Sequence, residues 1–290
     1  MIRNSPLQNF ILGDDRPERL PGDRKEAFSF YGKMHFWKLL LCGVMTSVFF
    51  LPALTWLYSA NFAKAQQLAA LIPGQEGYLE AYSQILLQHA FSDYLALTPL
   101  IALFFVGLAG LFGICKRMIF CQSSGYGEFF RAIRSNGLQS AACGAVFGIS
   151  LFFLSFNFSY YQVSTLPEMV KGLLIGLSIL QFVVVAMLEV YLLCGLAVYT
   201  NTAKQHILNG IKFTFGLFWK NLWVMGLCVS PLILTVLVPS PWQLILLSLL
   251  PAFYVGFAAL AMTCYCSTVF DQYINPTLGE EYVGIGLEKE

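Results

Sequence analysis

The chain reads as an all-α, polytopic membrane bundle with six transmembrane helices and amphipathic interfacial helices before spans one, three and five. Three observations predict this. Of its 290 residues, 57% are hydrophobic and only 11% charged; six apolar stretches are each long enough to cross a bilayer; and fifteen of the seventeen Lys and Arg residues fall on one side of those stretches. A hydrocarbon core of about 30 Å takes roughly 20 residues of helix. The apolar runs are continuous and lack the alternation of barrel strands, so helices are the only spanning form they fit. A net charge of +1 excludes a strongly basic nucleic-acid binder.

Residues 1–33 form a charged N-terminal extension, expected in the cytoplasm. Asp14, Asp15, Arg16, Glu18, Arg19, Asp23, Arg24, Lys25 and Glu26 stand where a cleavable signal peptide would place its apolar core, so none is expected. The membrane domain covers 34–276, with spans near 36–60, 94–115, 137–158, 172–199, 221–239 and 241–270. Arg3, Arg16, Arg19, Arg24, Lys25, Lys33 and Lys38 precede span one. Lys116, Arg117, Arg131 and Arg134 lie between spans two and three, Lys204, Lys212 and Lys220 between four and five, and Lys289 in the tail. Only Lys64 and Lys171 are left for the other side, which places both termini in the cytoplasm of a multi-pass plasma-membrane protein. The tail, 277–290, carries Glu280, Glu281, Glu288 and Glu290 and is expected to be mobile.

The approaches to the odd-numbered spans look alike. Phe30-Tyr31-Gly32-Lys33 leads to Phe36-Trp37-Lys38, Phe129-Phe130-Arg131 to Ile133-Arg134, and Ile211-Lys212-Phe213 to Phe218-Trp219-Lys220. Aromatic rings suit the headgroup level and interleaved cations reach phosphates, so Trp37, Lys38, Arg131, Arg134, Trp219 and Lys220 are candidates for interfacial docking. The same pattern marks any cytoplasmic membrane boundary, so a threefold repeat and simple boundary composition both account for it. Pro52, Pro99, Pro231 and Pro251 interrupt four spans. Gly107, Gly110 and Gly113 predict a close helix contact. The outer loop at 61–91 breaks at Pro73-Gly74, and Pro239-Ser240-Pro241-Trp242 reads as a tight outer turn.

Little chemistry is legible. Seven of the eight cysteines lie in or at the ends of spans and Cys121 is cytoplasmic, which argues for packing over disulfides or metal. His35, His89 and His206 are scattered over both faces, so no shared metal site is expected. No nucleotide loop, nucleophile elbow or zinc-protease motif is present, and neither a catalytic residue nor a cofactor is assigned. Glu189 is the one acidic residue well inside a span, with Ser178 and Thr200 eleven residues to either side. Eleven residues are close to three turns, so the three would share a helix face. That polar stripe is either a proton, cation or solute site or an interhelical hydrogen bond.

The run 213–221, Pro231, Pro251 and the closing Ser267-Thr268-Val269-Phe270-Asp271-Gln272-Tyr273-Ile274-Asn275-Pro276 resemble the YesL-like family of bacterial integral membrane proteins. The segment 128–136 is similar to that family's middle region, while the N-terminal extension and long first outer loop depart from its compact pattern. The family has no established activity, and its members often accompany carbohydrate-uptake genes. The resemblance therefore implies a non-enzymatic accessory protein of a sugar importer or sensor complex. The alternative is a small-solute transporter or solute-binding component using Glu189. Monomer and dimer are both compatible with the sequence.

Overall fold

The computed structural model describes residues 20–122, 124–236 and 242–288, and every regular element among them is helical. A short helix α1, Arg24–Met34, precedes α2, Phe36–Ala69. There follow α3, Tyr78–Ile119, α4, Gly127–Val163, and α5, Glu168–Val198; then α6, Ala203–Gly216, α7, Phe218–Val236, α8, Trp242–Tyr273, and a single turn α9, Asn275–Leu278. Among the described residues five helices are long and apolar enough to cross a membrane: α2, α3, α4, α5 and the part of α8 from Ala252 to Tyr273. The outer turn expected at Pro239-Ser240-Pro241, most of the N-terminal extension (1–19), and Lys289 and Glu290 lie outside the described residues.

The helices overrun the expected spans. The 34 residues of α2 and 42 of α3 correspond to roughly 50 and 60 Å. No breaker interrupts Asn61, Lys64, Gln66 and Gln67 on one side of the turn or Glu80, Gln84 and Gln88 on the other, and these types other than Asn are good helix formers. The loop expected at 61–91 is therefore mostly a continuation of the two spans. Its turn does fall at Pro73-Gly74, where Gly74 and Gly77 take φ of +87° and +80°, a conformation that glycine adopts without strain. Pro52, Pro99 and Pro231 sit inside continuous helices and end none of them.

Two of the three expected pre-span segments are separate helices. Asp23 caps α1 by accepting from the Lys25 and Glu26 amides at 2.9 and 2.6 Å, and Thr202 with Gln205 forms a capping box on α6. Each helix ends at one residue that leaves helical geometry, His35 (φ −108°, ψ 25°) and Leu217 (φ −119°, ψ 26°), and Phe-Trp-Lys opens the next helix at both places. The third segment has no such break, because α4 runs unbroken from Gly127, so there the expectation of a distinct helix fails. One aromatic ring of each segment, Tyr31, Phe129 and Phe213, is buried.

The core is uneven along the bundle axis. Central α3 packs against α2, α4, α5 and α8. Its buried residues crowd between Gly107 and Ile119, those of α5 between Met187 and Gly195, and those of α8 from Gly256 onward. All three stretches lie at the end where the first and last described residues meet, called the terminal end below, marked by the Glu288 amide donating to the Pro21 carbonyl at 2.9 Å. There α2 and α8 cross backbone to backbone: a Cβ on Gly43 would lie 2.5 Å from the Ala252 carbonyl oxygen. The expected contact of Gly107, Gly110 and Gly113 is present, facing Phe49 of α2 and Phe129 and Ala132 of α4. The tail also differs from the expected mobile end. Gly284 donates to Asp271 at 3.1 Å, and the Gly286 carbonyl accepts from Tyr31 at 3.3 Å.

Candidate functional site

Away from the terminal end the helices part. A cavity of about 380 Å³ opens between the far ends of α2, α3 and α4, with Ile179 of α5 at its edge. Its polar lining includes Asn61, Lys64, His89, Asp93, Ser159 and Gln162, with Tyr94 and Phe158 as aromatic walls. The overrunning ends of α2 and α3 build it: residues four apart share a helix face, so His89 and Asp93 point the same way. His89 Nδ1 lies 2.6 Å from Asp93 Oδ2, and its Nε2 lies 3.1 Å from Gln67 Oε1. The Trp56 indole donates to the Asp93 carbonyl at 2.9 Å and ties α2 to α3 beside the cavity. Sequence reasoning read His89 only as one of three scattered histidines without a shared metal site. The i, i+4 spacing of His89 and Asp93 was the signal available, but the loop expected there hid it.

The second polar feature is a seam between α4 and α5. Glu189 is 2% exposed; the Cys143 thiol of α4 hydrogen-bonds its side chain, and its Oε2 has no partner among the described residues. Seven residues along α4, or two turns, Ser150 is buried with its hydroxyl also unpartnered. Two turns further, Asn157 donates to Ser178 Oγ at 3.1 Å, and Ser178 itself donates to the Leu174 carbonyl at 3.0 Å. The predicted stripe is thus half right. Ser178 and Glu189 share the buried face of α5, about 16 Å apart along the axis, but Thr200 lies beyond the helix and is exposed. The chain leaves α5 at Tyr199 in extended geometry (φ −116°, ψ 149°). There the Tyr199 hydroxyl donates to Asn275 at 2.5 Å, so the third member never joins the face.

The terminal end is held by polar ties. Arg24 directs Nε and Nη2 onto Asp271 Oδ2 at 3.0 and 2.9 Å, while Asp271 Oδ1 accepts from Asn275 at 2.7 Å. Tyr31 adds a 3.0 Å contact to the Cys121 sulfur, and burial pushes its phenol above the ordinary range. Asn221, fully buried, joins four helices: its Oδ1 accepts from Tyr191 and Tyr265 at 2.6 and 2.7 Å, and its Nδ2 donates to the Phe213 and Thr214 carbonyls at 2.9 and 3.3 Å. His206 packs against Gly195, where burial lowers its pKa from the ordinary value of 6.5.

The docking candidates divide. Trp37 and Trp219 are 69% and 74% exposed at matching positions after the two breaks, and Arg134 is exposed. Arg131 is exposed but pairs with Glu128, which Arg117 also holds at 2.8 Å. Lys220 reaches over the Tyr265 ring at 5.8 Å. Lys38 does not fit the expectation: it is 5% exposed and turned inward beside Cys42, because one step of helix after an outward Trp37 rotates the next side chain by about 100°. Among the described residues no group of three or more potential metal ligands occurs. No family model, curated protein or solved structure matches the chain.

Proposed function

We propose that the chain is a six-span protein of a bacterial plasma membrane, with both ends cytoplasmic, that serves carbohydrate uptake or sensing as a non-enzymatic accessory subunit. In this reading it takes a small polar solute into the cavity at its outer face. The observation that carries it is the one-sidedness of the bundle: polar and open away from the terminal end, packed and tied there. Such a cavity receives a solute from one side and gives it no path through, which suits a receptor subunit better than a conduit. Neutral hydrogen-bonding side chains beside aromatic walls are the lining that a hydroxylated solute asks for.

The sixth span is α7. Its 19 residues reach about 28 Å, close to a hydrocarbon core. An even number of crossings also returns the chain at Glu288 to the side of Pro21, and the bond between these two residues supports that reading. The Lys and Arg asymmetry puts that side in the cytoplasm, where α1 and α6 lie at the interface with Trp37 and Trp219 at headgroup level. Native isolation with mass spectrometry of all retained components tests the function. An importer or sensor subunit at constant ratio supports it, and a chain recovered alone refutes the accessory role. One observation favours a second reading, a transporter using Glu189: its carboxylate is buried without a cation and with Oε2 unpartnered. Under that reading Glu189→Gln abolishes uptake while the outer cavity still binds solute.

A further inference from the structure

The charges of the outer cavity specify its ligand. Both ring nitrogens of His89 face acceptor oxygens, Asp93 Oδ2 at 2.6 Å and Gln67 Oε1 at 3.1 Å. His89 thereby engages Asp93, so that carboxylate already has a partner within the cavity. Asp93 is the only carboxylate in the lining among the described residues. Lys64 has neither an ion pair nor a hydrogen bond among the described residues, whereas Lys171, the other basic residue assigned to this side, pairs with Glu168 at 2.9 Å. One positive charge with three donor hydrogens is therefore left facing a recess whose low-dielectric walls strengthen its field.

We propose that this cavity binds a small hydroxylated monocarboxylate, its carboxylate paired with Lys64 and its hydroxyls held by Asn61, Ser159 and Gln162. The inference rests on the accessory reading above and narrows the solute class. A cavity of about 380 Å³ falls within the ordinary range of small-molecule sites and has room for a six-carbon sugar acid. A doubly charged solute would leave one charge unmatched in the recess, and a neutral sugar would leave Lys64 without a partner.

The test is calorimetric titration of the full chain in phosphatidylcholine nanodiscs with glucuronate and with glucose, which share a ring and differ at one carbon. Glucuronate should bind about 10- to 100-fold more tightly, the value of a charged hydrogen-bonded contact. Lys64→Gln should erase that preference and Lys64→Arg should keep it. Lys64 is only half-buried, and circular dichroism checks that both variants are folded. If Lys64→Gln does not fold, the wild-type preference and its retention in Lys64→Arg decide. Equal binding of the two sugars, or a preference that survives Lys64→Gln, overturns the carboxylate assignment and leaves the carbohydrate reading standing. Binding of neither overturns both. A lipid phosphate is the other source of an anion for Lys64. If native mass spectrometry shows phosphatidylglycerol retained through Lys64 and not displaced by glucuronate, the proposal is likewise overturned.

Discussion

Asn221 should be the most sensitive single polar position in the bundle. In Asn221→Leu the side chain keeps a similar volume but loses all four hydrogen bonds, at 2.6, 2.7, 2.9 and 3.3 Å. The two bonds to Tyr191 and Tyr265 join different helices. Interhelical bonds in membrane proteins average about 0.6 kcal/mol with a maximum near 1.7, so the pair accounts for roughly 1–3 kcal/mol. The two tyrosine hydroxyls are then left without their acceptor, and an orphaned buried hydroxyl adds about 1–3 kcal/mol if no other partner is found. The expected loss is therefore about 2–6 kcal/mol, counting one orphaned hydroxyl and taking that of the more exposed Tyr265 as relieved. Equilibrium unfolding by SDS in mixed micelles, followed by circular dichroism, measures it. The orphan contribution is separable. Adding Tyr191→Phe and Tyr265→Phe to Asn221→Leu removes the unpaired hydroxyls and should recover part of the stability, a non-additive result. A single variant within 0.5 kcal/mol of wild type (below the average of one such bond), or a triple variant less stable than Asn221→Leu, would refute the reasoning.

Other consequences are equally direct. His206 is held neutral by burial, with its folded pKa lowered from 6.5, so the unfolded chain binds the extra proton first. Stability should therefore fall as pH drops through about 6.5, and His206→Gln should flatten that part of the pH profile. Gly43→Leu forces α2 and α8 apart at a contact where even a Cβ lies 2.5 Å from a carbonyl oxygen. It should cost about 1–3 kcal/mol or more in the same SDS assay, and wild-type stability would show that the helices do not cross there. Glu189→Gln preserves the shape and an acceptor for Cys143, so its stability should stay within about 1 kcal/mol of wild type. Glu189→Lys should fail to yield folded protein on gel filtration, because the seam offers that ammonium no carboxylate.

Span positions were legible because they rest on local composition: a run of apolar residues in helix crosses lipid wherever its neighbours lie. Overruns such as 61–69 and 78–93 were missed for the complementary reason. Polar residues look like loop in a hydropathy window, although nothing in Asn61, Lys64 or Gln67 stops a helix that is already propagating. The candidate site was legible only in part. Glu189 stands out in sequence because a carboxylate in a span is costly, but its partner Cys143 lies 46 positions away and no periodicity connects them. Thr200 was assigned to the stripe by arithmetic that assumed an unbroken helix, which the extended geometry at Tyr199 ends.

What the sequence determined by itself was the class of the molecule: helices, because lipid satisfies no backbone hydrogen bond, while the sidedness proposed above rests on the sorting of cations alone. Only the tertiary structure decided which polar groups meet. Asp271 with Arg24, Asn221 with Tyr191 and Tyr265, and Lys64 beside the His89–Asp93 pair in one cavity are contacts between separate helices. Each is set by how the helices pack and by where glycines such as Gly43 and Gly256 let backbones close. Those close crossings gather the packed core at one end and leave the other end open around the cavity.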